Sequence, residues 1–308
     1  MSHGIHLVIR LHSMYNNCYI AKEAGKNMKT GLVLEGGSVR GLYTAGVLDV
    51  FMEHGISFDG VIGVSAGCIH GASFMSGQRG RSIRYYLKYC NDPRFMSFSS
   101  LLKTGDLVGA DFCYHEIPEK LDIYDNEAFL QSGVPFYAVC SNVETGKPEY
   151  LQMKDMFQDI EIMRASASMP YVSRMVEING KKYLDGGCTD SIPVDAFRQM
   201  GYGRNVVVLT RDSSYRKKPE LRGLAKLMYR SYPAFAKVQA ERYLHYNRQV
   251  ERVMELEKER TVFVIRPSVP LTVGRIEKDL EKVMEIYDLG RKDALCAMDD
   301  LQYWLKNE

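Results

Sequence analysis

The pentapeptide Gly63-Val64-Ser65-Ala66-Gly67 closes the apolar run Val61 to Val64. Its Gly-x-Ser-x-Gly spacing is that of a nucleophile elbow and makes Ser65 the candidate nucleophile. A serine on a sharp strand-to-helix turn sits in strained backbone, and neighbours without a Cβ at 63 and 67 relieve the crowding. Such a turn lifts Oγ clear of the sheet and starts a helix at Ala66. The free N–H groups and the positive end of the helix dipole then lie beside the attacking oxygen. Taken alone, three fixed positions in five residues equally describe a strand followed by a glycine-rich turn.

A second stretch, Gly31-Leu-Val-Leu-Glu-Gly-Gly-Ser-Val-Arg-Gly41, is an apolar strand entering a glycine-rich loop and then the helical pattern Leu42 to His54. Successive N–H groups in such a loop form an anion-binding concavity, suited to an oxyanion or to a phosphate. A P-loop would need Lys-Ser or Lys-Thr after Gly41, and Ser38 interrupts Gly-x-Gly-x-x-Gly, so phosphate is the weaker reading. The third stretch is Tyr183-Leu-Asp-Gly-Gly187, which follows a hairpin turning at Asn179-Gly180. Asp185 leaves this strand into a glycine loop, and by itself Asp-Gly is a common turn dipeptide.

In this order the three stretches resemble the patatin-like phospholipase family of lipid acyl hydrolases. The resemblance implies an α/β fold of three layers, a mostly parallel central sheet covered by helices on both faces. It further implies a Ser-Asp dyad, with Ser65 as nucleophile and Asp185 as general base. Gly36, Gly37 and Ser38 correspond to the oxyanion loop, and Arg40, Gly41, Gly63, Gly67, Gly186 and Gly187 to its supporting motif positions. Arg164-Ala-Ser-Ala-Ser-Met-Pro170 is similar to the family's Ala-Ser-x-x-x-Pro stretch, and Asp190-Ser-Ile-Pro193 to the segment after its Asp-Gly-Gly. The likeness spans about Lys29 to Arg211. Ser38 departs from the family's third glycine; its N–H serves equally if its backbone angles are allowed. The expected substrate is a lipid or other acyl ester, with neither metal nor organic cofactor.

The 308 residues suffice for a large core, expected as one domain over 29–308 after a dispensable extension, 1–28. A net charge of +2 gives no global attraction to nucleic acid. Seven scattered cysteines without Cys-x-x-Cys spacing argue against disulfide or zinc frameworks and for a reducing cytoplasm; Cys188 reads as a small core residue. No run approaches the ~18 apolar residues of a membrane span.

Tyr85, Tyr86 and Tyr89 are expected in the core, and 93–125, without a clean period, reads as a lid, an acyl channel or a packed loop. Between Arg204 and Arg230 stand eight Lys or Arg against Asp212 and Glu220. This basic run is either a solvated face or a peripheral contact for anionic membrane through Arg216, Lys217, Lys218 and the following helix. Arg275 to Leu305 reads as two amphipathic helices broken at Gly290. Two alternatives carry over to the structure. One is a Ser-Asp-His triad, for which only His245 follows Asp185 in sequence. The other is a non-catalytic lipid-binding protein.

Overall fold

The computed structural model describes residues 28–307 except Arg222 and Arg275. All of the N-terminal extension but Met28 lies outside the described residues.

Strand β1 (Thr30–Leu34) is the axis of the sheet because its uninterrupted apolar run can be buried on both faces. It pairs in parallel with β2 (Gly60–Val64) on one side and β7 (Arg204–Val208) on the other. Parallel pairing continues from β2 to β3 (Phe136–Asn142) and from β7 to β8 (Val262–Ile265). β4 (Lys147–Met153), β5 (Val176–Ile178) and β6 (Lys181–Asp185) add antiparallel pairs beyond β3. The order β5-β6-β3-β2-β1-β7-β8, with β4 also on β3, gives the mostly parallel sheet expected.

Alternate side chains of β1 and β7 enter separate cores, and this makes the three layers. Leu32, Leu34, Val206 and Val208 face one cluster, packed against α1 (Gly41–Glu53), α2 (Ala66–Met75) and α10 (Leu280–Cys296). Val33 and Val207 face the other, packed against α7 (Val194–Gln199) and α9 (Pro233–Lys258).

The break expected at Gly290 is not there. Helix α10 runs through it to Cys296, and α11 (Met298–Asn307) follows after Ala297. Gly290 serves a helix crossing instead: a Cβ on it would overlap the Tyr43 carbonyl oxygen, and one on Gly46 would overlap the Tyr287 carbonyl oxygen. Each helix thus offers a glycine to the other's backbone. The aperiodic stretch 93–125 contains α4 (Phe98–Thr104) and a π-helical segment, Phe112–Leu121. A pattern search at 3.6 residues per turn misses a π-helix, whose wider turn shifts the apolar stripe.

β2 and β6 approach β3 from opposite directions. β2 runs parallel to β3 and ends with Val64 opposite Val139. β6 runs antiparallel and ends with Asp185 opposite Cys140, the next residue. Two strand ends therefore meet on one edge of β3, and the residue following Val64 is Ser65.

Candidate active site

Ser65 adopts φ 54° and ψ −121° between β2 and α2. This backbone is sparsely populated for a residue with a side chain and costs on the order of 1–3 kcal/mol. The flanking glycines explain how the turn closes so tightly. A Cβ on Gly63 would lie 2.6 Å from Cys68 Cα, and one on Gly67 would lie 2.5 Å from the Leu34 carbonyl oxygen. Helix α2 starts at Ala66, so its first N–H groups have no helical acceptor and lie next to Ser65.

The glycine loop after β1 lies against this elbow. A Cβ on Gly36 would be 2.9 Å from the Val64 oxygen and 3.0 Å from Ser65 Cβ, and one on Gly41 2.6 Å from Ala66 Cβ. Thr210, beyond β7, holds the loop: its Oγ1 donates to the Gly36 oxygen at 3.0 Å and packs where a Gly37 side chain would go. Ser38 has φ 50°, the left-handed region. That angle is the physical reason for a glycine here, and serine bears it at a cost of about 1–2 kcal/mol.

Asp185 is 5% exposed and Ser65 8%. Gly187 N–H donates to Asp185 Oδ1 at 2.8 Å, a bond that favours the carboxylate. The segment 164–170 braces both residues. Ser166 Oγ accepts from Ser65 N–H at 3.0 Å, and the Ser168 carbonyl accepts from Asp185 N–H at 2.8 Å. Ser141 Oγ donates to the Asp185 carbonyl at 2.8 Å.

Two cavities meet at Ser65. One, of about 130 Å³, is apolar: Val39, Leu42, Ile69, Tyr85, Tyr86, Phe95, Tyr114, Ile117 and Met163 line it together with His70. Tyr85 and Tyr86 are thus both core residues and cavity wall, and the π-helical segment supplies Tyr114 and Ile117. Burial pushes the His70 imidazole down to about 4, so it is neutral. The other, of about 100 Å³, is polar and contains Gly36, Gly37, Ser38, Ser65, Asp185 and Gly187. Four cations, Arg40, Arg211, Lys217 and Arg242, line it with only two carboxylates, Glu35 and Asp185.

Glu35 accepts from Thr210 N–H at 2.6 Å and from Tyr246 O–H at 2.8 Å, yet burial still raises its pKa. Burial, followed by the neighbouring Arg242, pulls the Lys217 ammonium down to about 8. Burial and then Arg211 lower Arg40. Arg242 Nε donates to the Gly187 carbonyl at 2.5 Å. Among the described residues no group of three or more His, Cys, Asp or Glu is placed to hold a metal ion.

Gly36, Gly37, Ser38, Arg40, Ser65, Asp185 and Gly187 line one cleft, while Gly41, Gly63 and Gly67 pack around the elbow and Gly186 against Val139. The structure splits the basic run. Arg211 and Lys217 turn into the cleft, Arg204 stacks on Trp304, and Arg216 and Lys218 stay exposed. His245 lies half-exposed on α9, 3.9 Å from Glu241, and lines neither cavity at Ser65. Cys188 is buried, its thiol pushed up to about 12. Sequence reasoning missed Glu35, Tyr246 and Arg242. Glu35 abuts the glycine loop, but only the fold brings α9 over it.

A mostly parallel α/β sheet carrying a strained serine at a strand-to-helix turn, beside a glycine loop, defines the class of protein. A sequence model described as patatin-like phospholipase matches residues 32–198, and the chain belongs to that family. A second model, a domain of unknown function (DUF6363), matches residues 232–306, which include Arg242 and Tyr246 of the cleft wall.

Relatives include the uncharacterized protein YjjU of Escherichia coli, 31% identical over 62% of this chain and 55% of its own length. Lysophospholipase NTE1 of Eremothecium gossypii is 24% identical over 88% of this chain but only 18% of its own length. The chain thus corresponds to about half or less of these relatives. VipD from Legionella pneumophila aligns in structure at a TM-score of 0.46 with 12% identity, over 89% of this chain and 67% of its own. Among the described residues no helix is long and apolar enough to cross a membrane.

Proposed function

We propose that the protein hydrolyses carboxylic esters of lipids through a Ser65-Asp185 dyad and an acyl-enzyme. The observation that carries this reading is the meeting of two strand ends on β3, which brings Ser65 and Asp185 into one cleft. Asp185 takes the proton from Ser65 Oγ as Oγ attacks the ester carbonyl, and N–H groups of Gly36 to Ser38 and of the α2 start stabilise the oxyanion. The C–O bond to the alcohol breaks, and the leaving oxygen takes the proton from Asp185. Water then attacks the acyl-serine, giving its proton to Asp185; the C–Oγ bond breaks, Ser65 Oγ takes that proton back, and the acid departs with both groups restored. The apolar cavity takes the acyl chain, since it opens at Ser65 and its walls are aliphatic and aromatic.

We take residues 29–308 to act as one unit, because β8 extends the common sheet and α9 closes the cleft. The substrate enters from a lipid surface. Leu221, Leu227 and Met228 are exposed beside Lys218, Lys226 and Arg230. Tyr229, in the same stretch, contacts Tyr171 next to the cleft residues Met169 and Pro170.

The test is labelling of Ser65 by a fluorophosphonate, with short-chain ester hydrolysis by Asp185→Asn and His245→Ala proteins whose folding is checked by circular dichroism. Asp185→Asn loses several orders of magnitude, because Asn cannot accept the serine proton, while His245→Ala keeps most activity. Loss in both would favour a triad. An unlabelled Ser65 in folded protein would leave lipid binding without turnover.

A further inference from the structure

The cleft has two unlike halves at Ser65, and if the apolar half holds the acyl group, the polar half receives the alcohol. Beyond the motif stretches, its wall carries Arg211, Lys217 and Arg242, with Tyr215 and Tyr246 between them. Arg211 lies with its guanidinium 4.0 Å from the Tyr215 ring centroid, and the Lys217 ammonium stands 5.1 Å from that of Tyr246. These two rings are the aromatic faces on which a quaternary ammonium headgroup would sit. The protein's own cations already occupy them.

The two carboxylates of the cleft offer no alternative seat. Glu35 is buried and engaged by Thr210 and Tyr246, and Asp185 is the base. A headgroup bearing a positive charge therefore meets like charge and no free ring, whereas an anionic one meets three or four donors.

We infer that this half of the cleft is a subsite for a phosphate on the leaving alcohol, so that the preferred substrates are acyl esters of a phosphorylated alcohol with no compensating cation. The inference rests on the hydrolase reading above and adds headgroup selection to it. Arg211 and Lys217 act on specificity by touching the leaving group's phosphate.

The test compares three esters of one acyl chain, used as monomers below their aggregation concentration: acylglycerol phosphate, acylglycerophosphocholine and uncharged monoacylglycerol. kcat/KM for the phosphate ester is expected to exceed that for the phosphocholine ester by about 10- to 100-fold, the scale of one charge-assisted hydrogen bond. In Lys217→Met and Arg211→Gln proteins this ratio falls toward one. Equal rates, a choline preference, or an unchanged ratio in both variants overturns the subsite. Hydrolysis of the uncharged ester by wild-type but not Ser65→Ala protein tests the hydrolase reading separately.

If no ester is cleaved, calorimetric binding of the same three lipids to Ser65→Ala protein decides: tighter binding of the phosphate lipid supports the subsite and equal binding overturns it. Glycerol phosphate should compete with the uncharged ester where choline does not. If inorganic phosphate competes as well as glycerol phosphate, the site reads the free ion, and selection of a lipid headgroup is overturned.

Discussion

Replacing Gly67 by alanine tests the packing that builds the elbow. The added Cβ would stand 2.5 Å from the Leu34 oxygen and 2.7 Å from the Glu35 oxygen. Carbon–oxygen contacts settle at about 3.3 Å or more, so α2 must retreat from the end of β1 by roughly 0.8 Å. Both obstacles are backbone, one at the last residue of β1 and one just past it, and cannot swing aside as a side chain can. The retreat carries the α2 start and Ser65 away from the glycine loop, which begins at Glu35-Gly36. Misplacement by about 1 Å costs on the order of 10² in rate, and overpacking costs about 1–3 kcal/mol of stability.

Gly67→Ala should therefore lower kcat/KM for a short-chain ester, and the fluorophosphonate labelling rate, by about 10- to 100-fold, with Tm down by several degrees. Gly71→Ala, one turn along the same helix, is the control. Its Cβ meets the tip of Leu34 at 2.9 Å and the Phe136 ring at 3.2 Å, side chains that can move, so the loss in both measurements should be smaller. Wild-type activity and Tm in Gly67→Ala protein would refute the reasoning, as would a greater loss at Gly71.

Gly37→Val should cost on the order of 10²–10³ in kcat, the scale of one oxyanion donor, because its side chain collides with Thr210; Ser38→Gly, which removes a left-handed serine, should be tolerated. Full activity in well-folded Gly37→Val protein would remove the loop from the oxyanion site. His70 titrates near 4 when folded against an ordinary 6.5, so the unfolded chain binds the extra proton between those values and folding stability falls as pH drops from about 6.5 to about 4. The loss amounts to about 3 kcal/mol.

Asp190, pushed up to about 6 by burial, acts oppositely: its stabilising proton is lost as pH rises through that value. The diagnostic quantity is therefore wild type minus His70→Leu in urea titrations across this range, and a flat difference would contradict a buried neutral imidazole. Gly290→Ala should lower Tm by several degrees as the added Cβ drives α10 from Tyr43, at a cost of about 1–3 kcal/mol. A rise in Tm, which helix propensity alone would give, would show that the crossing is not tight.

The serine elbow and the strand-end aspartate were legible in the sequence because both depend on local geometry. A serine forced into a strained turn needs glycines at fixed offsets, and an aspartate leaving a strand into Gly186-Gly187 leaves the same kind of short-range mark. Apolar runs at β1, β2 and β7 likewise announce strands buried on two faces. Periodicity failed at Gly290, where a residue that punctuates loops elsewhere lets two helices touch, and at 112–121, where the turn is wider than the search assumed.

The cleft's second wall was illegible for a different reason. Arg242 and Tyr246 line the cleft only because α9 lies across the sheet, and Arg211 and Lys217 because the chain leaving β7 beside β1 turns over it; no spacing along the chain encodes which face of a charged helix turns inward. Among its described residues the basic run of 204–230 divides between several places, since Arg204 stacks on Trp304, a hundred residues on, while Arg211 and Lys217 line the cleft. Local sequence determined the elbow serine, the strand-end aspartate and their glycine loops. Tertiary packing alone decided what surrounds them, because burial and charge are properties of a place in space to which distant segments contribute.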